Sequence, residues 1–180
     1  MDIINDWLCK LRIDKSSTEL QKRHRIFNYL YKNIEYDNFL MTEIFHNRAN
    51  RNPTAEFDAV LIHNRGICSS ISQVYHVILS AVDIHSACVC CSDHNFSHQL
   101  VWFTSTNTFD DLTNAILFPD KAEKYFNYSY QEAVKLGQSK SPLFDDKYWI
   151  TVPNEWIEHI ADHSQFSKYI NKYLHRQHVQ

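Results

Sequence analysis

Gly66 is one of two glycines in a chain of 180 residues, and it stands between two runs of helical periodicity. Upstream, Asn52-Pro53 can open a helix that Ala55, Ala59, Val60 and Ile62 carry to Asn64. Downstream, Ile71, Val74, Tyr75, Ile78, Leu79 and Val82 keep helical spacing from Cys68 onward. A glycine at such a junction is expected to end the first helix in the left-handed conformation. A second helix then has to begin at Cys68. The fold must therefore present a thiol where two helices meet.

Around this junction the pattern continues in both directions. Ile3, Ile4, Trp7, Leu8 and Leu11 mark a short amphipathic helix over 2–13. Ser16 and Glu19 have capping-box spacing, and Leu20, Ile26, Phe27, Leu30, Tyr31 and Ile34 line a helix ending near Asn33. Residues 36–52 read as a loop with a short helical turn near 39–46. After Val82 the texture changes. SACVCCS (86–92), HQLVWFT (98–104) and NTFDDLT (107–113) are short, β-branched and aromatic, as successive antiparallel strands would be. Residues 119–136 look helical in two pieces, 148–152 like a last strand, and Pro153 opens a terminal helix. Helices, then a sheet, then helices imply an α+β fold in a single domain over 1–180.

Composition narrows the function classes. Hydrophobic residues make up 44% and charged residues 22%, ordinary for a soluble globular protein with a real core. A net charge of −3 offers no attraction to nucleic acid or an anionic membrane, so neither is expected as a partner. No apolar run approaches the ~20 residues that span a bilayer, and MDIINDWLCK lacks the character of a signal peptide. Five cysteines, three of them crowded at 88, 90 and 91, make a poor disulfide framework. The expectation is a reducing, cytoplasmic setting, or export as an effector by a route without a cleaved signal.

A thiol on the first turn of a helix meets unpaired N–H groups and the positive end of the macrodipole, both of which favour thiolate. Cys68 has that position. A cysteine nucleophile also needs an imidazole, and the imidazole needs an orienting group. His98 opens a strand and Asp111 lies on the next one; a turn at 105–108 would bring His98 close to 111–117. Adjacent strand residues face opposite ways, so only one of Asp110 and Asp111 can meet His98. Asp110 is then expected in solvent, or as a rival if the strand bulges.

The segment NRGICSSISQVYHVILSAVDIHSACV resembles the core of the transglutaminase-like superfamily. There a Gly-x-Cys opens a helix, a small-residue turn follows, and then a strand. HQLVWF and Asp111-Leu112-Thr113 are similar to the family's His-Ala-Trp and Asp-Pro-Thr strands, and IFNYLYKNIEYD resembles the preceding helix and Tyr-bearing segment. The resemblance covers about residues 20–115. It implies a papain-like core, with the nucleophile helix packed on an antiparallel sheet and extra helices at both ends, the C-terminal extension over about 119–180. It further implies Cys68 as nucleophile, His98 as general base and acid, and Asp111 as orienting carboxylate. The Cys68 N–H would be one oxyanion donor and Tyr36 the second.

On this basis the expected activity is acyl transfer at a glutamine carboxamide or peptide bond through a thioester. Deamidation, proteolysis and cross-linking all fit, with a protein or peptide substrate and neither metal nor other cofactor. Gln99-Leu100 and Leu112 depart from the family strands, which motivates the alternative of a non-catalytic protein-binding module on the same fold. A zinc site from Cys88, Cys90, Cys91, His94 and His98 is disfavoured, because a contiguous C-x-C-C on a strand converges poorly.

Overall fold

Residues 3–139, apart from 15, 94–95, 104 and 137, are described by this computed structural model. In α1 (Ile3–Leu11) the apolar stripe of Ile4, Trp7 and Leu11 is buried. α2 (Glu19–Asn33) starts at Thr18, whose hydroxyl accepts from the Gln21 N–H while Gln21 Oε1 accepts from the Thr18 N–H. This reciprocal cap falls two residues after the Ser16–Glu19 pair that spacing suggests. Ser16 belongs to the preceding turn instead, its N–H donating to Asp14 Oδ1.

The chain then makes a two-residue strand β1 (Glu35–Tyr36) and a short helix α3 (Asn38–Phe45) capped by Asp37. α4 (Pro53–His63) is opened by Asn52, whose Oδ1 accepts from the N–H groups of Thr54 and Ala55. β2 (Arg65–Gly66) follows and pairs in parallel with β1, Glu35 facing Arg65 and Tyr36 facing Gly66. α5 (Cys68–Ser80) begins two residues after Gly66.

This junction corrects the expectation for Gly66. The left-handed residue ending α4 is Asn64, at φ 53°, a residue that tolerates that region better than most. Gly66 is needed for close approach. A Cβ there would collide with Val60 Cγ2 and lie 2.7 Å from Ser70 Oγ. The glycine lets α4, β2 and the first turn of α5 pack into one another.

β3 (Ala87–Asp93), β4 (Phe96–Phe103), β5 (Thr108–Asp110) and β6 (Gln138–Ser139) form an antiparallel sheet in the order β5-β4-β3-β6. The third strand is shorter than the sequence suggests. It ends at Asp110, opposite Val101, because Asp111 turns the chain into α6 (Leu112–Leu117) by accepting from the Asn114 N–H. A 3-10 helix (Pro119–Tyr125) and α7 (Tyr130–Lys135) supply the two helical pieces expected over 119–136. The strand expected at 148–152 and the helix expected from Pro153 lie outside the described residues.

α5 runs through the centre, with the sheet on one side and α2, α4 and α6 on others. Ile71, Val74, Tyr75, Ile78 and Leu79 are fully buried in the main core with Ile26, Phe27, Leu30, Val60, Val101 and Phe103. Each such aliphatic side chain contributes roughly 1.5–3 kcal/mol. The result is the expected α+β arrangement, a central helix on an antiparallel sheet. Packing against the sheet, α2, α4 and α6 fixes α5 in space.

Candidate active site

Cys68 occupies the first position of α5 and keeps part of its surface exposed. No side chain caps the helix from Ile67. Ser70 Oγ instead accepts from the Ile67 N–H and donates to the Ile67 carbonyl, at 3.2 Å each. The first N–H groups of a helix have no partner within it, so they and the dipole face the sulfur's surroundings.

β4 reaches this point at the end of its ladder with β5. Beyond Val101 the β5-facing edge of β4 has no strand partner among the described residues. The Gln99 backbone turns to α5 instead: its carbonyl accepts from the Ser72 hydroxyl at 3.0 Å, and its N–H is close enough to favour the Cys68 thiolate. His98 precedes Gln99 and is nearly buried, at 8% exposure. Its Nε2 lies 2.9 Å from Asp111 Oδ2, and its ring is close enough to Cys68 for each to shift the other's ionisation. The structure thus brings Cys68, His98 and Asp111 together: His98 is hydrogen-bonded to Asp111, and the Cys68 thiol and the His98 imidazole shift one another.

Asp111 is held on every side. Its Oδ1 accepts the Asn114 N–H at 2.9 Å, its Oδ2 accepts the Asn114 side-chain amide at 2.8 Å, and its own N–H donates to the Tyr125 carbonyl. It sits at the N-cap of α6, one residue past the strand on which it was expected. As a helix N-cap, the carboxylate gains its preferred end of the helix dipole.

The electrostatics follow from this packing. Burial pushes the Cys68 thiol up, but the hydrogen bond from His98, the imidazolium charge and the Gln99 N–H outweigh it, leaving the thiol below its ordinary range. Burial pushes His98 down, while the Asp111 charge and hydrogen bond and the Cys68 thiolate raise it well above the usual imidazole value. Burial opposes ionisation of Asp111, yet His98 and the two Asn114 donors bring its carboxyl below normal. All three directions favour a thiolate–imidazolium pair backed by a carboxylate.

Tyr36 lies on β1 opposite Gly66, two residues before Cys68. The Asp37 N–H donates to the Gly66 carbonyl and the Glu35 N–H to the Asn64 carbonyl, so the Tyr36 segment is tied to the residues just before Cys68. Burial, then the Cys68 thiolate and Asp37, push the Tyr36 hydroxyl up to about 12. It stays protonated and able to donate. Beside it opens a cleft of about 460 Å³ lined by residues including Tyr31, Ile34, Tyr36, Ile116 and Leu117.

Asp110 is not in solvent, nor does it rival Asp111. It is fully buried, accepting from Arg23 Nη2 at 3.0 Å, the Tyr75 hydroxyl at 2.7 Å and the Asn127 N–H at 2.7 Å. Burial still holds its carboxyl above the normal range despite these partners. Strand alternation had indicated that only one aspartate meets His98, but the partner of the other comes from α2 and no local pattern reveals it. Gln99 and Asn114 also escaped the sequence reading. Asn114 sits three residues after Asp111, the reach of an N-cap, and that spacing would have found it. Cys88 is buried as expected, whereas the side chains of Cys90 and Cys91, and His94 altogether, lie outside the described residues.

The family model described as the transglutaminase-like superfamily matches residues 9–139. A solved structure titled "Crystal structure of a TGase" aligns with a TM-score of 0.54 at 18% identity, over 64% of this chain and 31% of that one. At 18% identity the likeness speaks for the fold alone, and this chain spans only 31% of that neighbour's length. No curated protein matches the sequence.

Proposed function

The chain belongs to the transglutaminase-like superfamily, and on that premise we propose that it is a cysteine enzyme of acyl transfer acting on a carboxamide or peptide carbonyl of a protein substrate. The observation that supports this reading is the buried His98–Asp111 hydrogen bond next to Cys68 at the start of α5, with the thiol lowered and the imidazole raised. The thiolate attacks the carbonyl carbon, and the developing oxyanion takes hydrogen bonds from the Cys68 N–H and the Tyr36 hydroxyl. The imidazolium of His98 then gives its proton to the leaving amine or ammonia as the C–N bond breaks. A thioester on Cys68 remains.

In the second half-reaction His98, now neutral, takes a proton from the incoming nucleophile, which attacks the thioester carbonyl and expels the thiolate. Water acting on a glutamine-derived thioester completes deamidation. Water acting on a peptide-derived one completes proteolysis, and a lysine amine forms a cross-link. Asp111 keeps the ring oriented and supports its charged form throughout.

The test is incubation of glutamine-containing peptides with the wild-type chain and with Cys68→Ala. Mass spectrometry reads both the substrate and the thioester on the intact protein. Turnover and a trapped acyl-enzyme in wild type alone support the reading. A Cys68→Ala protein as active as wild type would end it.

A further inference from the structure

Arg51 stands in the loop before α4, yet its side chain reaches the first turn of α5. Its Nε and Nη2 grip the two oxygens of Glu56 at 3.0 and 2.7 Å, and Nη2 also donates to Ser69 Oγ at 3.1 Å. Ser69 is the residue after Cys68. Glu56 is only 7% exposed, whereas the Arg51 side chain is 45% exposed. The carboxylate is thus behind the guanidinium, and the cation is held outward at the lip of the site.

Three features separate this arrangement from a surface ion pair. The bidentate grip fixes the guanidinium plane, so little further ordering is needed to bind another group. Its Nη1 edge makes no hydrogen bond among the described residues. The guanidinium also feels the reacting sulfur: the Glu56 hydrogen bond first, and the Cys68 thiolate to a lesser degree, strengthen its hold on its proton. Arg51 is not what activates the thiol. That work falls to His98 and the Gln99 N–H.

Resting on the acyl-transfer reading above, we propose that Arg51 is a specificity residue that binds a carboxylate carried by the substrate close to the reacting carbonyl. The enzyme would then select acidic protein segments. The Nη1 edge donates to the carboxylate, while Glu56 and Ser69 hold the fork in place. The Glu56 charge opposes this attraction, but from the buried side, so the outward face remains positive.

The experiment needs no identified substrate. Iodoacetate and iodoacetamide alkylate the same sulfur, displacing iodide, and differ in that one carries a carboxylate. Their rates at Cys68 are measured by peptide mass spectrometry in wild type, Arg51→Gln and Arg51→Lys, at low and high salt. The His98 imidazolium is common to all three proteins, so differences between them report on Arg51. The iodoacetate-to-iodoacetamide ratio is expected to fall roughly fivefold in Arg51→Gln, the scale of a partly exposed ion pair. Arg51→Lys should keep part of the preference, and high salt should shrink the wild-type ratio toward that of Arg51→Gln. Equal ratios in wild type and Arg51→Gln would overturn the proposal. Should Arg51→Gln fail to fold, a wild-type ratio unmoved by salt would overturn it. A Cys68 that reacts with neither reagent below the ordinary thiol range would instead overturn the acyl-transfer reading beneath it.

Discussion

The Nε2 atom of His98 lies 2.9 Å from Asp111 Oδ2, and both side chains are buried. With Nε2 given to the carboxylate, the imidazolium is stabilised beside a thiol that it lowers in turn.

Asp111→Asn should narrow the pH range of activity from the alkaline side. His98 is raised chiefly by the Asp111 charge, against the opposing effect of burial. Without that charge the imidazolium loses its proton at lower pH, and the basic limb of a rate profile moves down. Stability carries the same signature. A raised His98 contributes stability that is full below its unfolded value of about 6.5 and is lost as pH rises through the folded value. A lowered Asp111 contributes stability above its unfolded value of about 3.9 and loses it as pH falls through the folded one. The stability gap between wild type and Asp111→Asn, read as urea midpoints, should therefore be widest between those two transitions.

Gly66→Ala is expected to cost both stability and reactivity. The new methyl meets Val60 and sits 2.7 Å from Ser70 Oγ, the hydroxyl that ties the Ile67 N–H and carbonyl at the start of α5. Overpacking of this kind costs roughly 1–3 kcal/mol. Because the strain falls on the helix start, Cys68 alkylation should slow as well. A variant that loses stability with its alkylation rate intact would break the proposed link between Gly66 and the thiol.

Arg23 and Asp110 form a fully buried pair, with the Arg23 guanidinium 3.3 Å from the centre of the Phe103 ring. Arg23→Met strands a buried carboxylate and should cost about 3–5 kcal/mol in chemical denaturation. Tyr75→Phe removes one hydrogen bond to the same carboxylate and should cost about 1.5–3 kcal/mol. The reverse order would mean that the tyrosine, rather than the arginine, anchors Asp110.

Tyr36→Phe should lower kcat by about 10²–10³ on any peptide that turns over, with little change in KM, as expected of an oxyanion donor. Alkylation by iodoacetamide forms no oxyanion and should keep its rate. If both fall together, Tyr36 acts by shaping the site and not by donating to the oxyanion.

What could be read from the chain was whatever short-range pattern encodes. The start of α5 at Cys68 followed from the period of Ile71, Val74, Tyr75 and Ile78, and the His98 hairpin from alternation and turn residues. Gly66 was singled out correctly for the wrong reason, because a steric demand between α4 and α5 has no local signature, while Asn64 supplied the left-handed residue. Asp111 was expected on a strand. Its side chain instead caps a helix, a competition that apolar periodicity does not register. The Arg23–Asp110 pair spans most of the described chain and could be found only by folding it. Tyr36 came from resemblance, and the β1–β2 pairing that sets it opposite Gly66 has no local signature.

The most direct measurement of the central claim is the pH dependence of Cys68 alkylation by iodoacetamide in wild type and in His98→Ala. The midpoint should fall well below the ~8.5 of an ordinary thiol in wild type and rise toward or above it once the imidazole is gone. A wild-type midpoint at or above ~8.5, or one that His98→Ala leaves unmoved, would contradict a thiolate activated by His98.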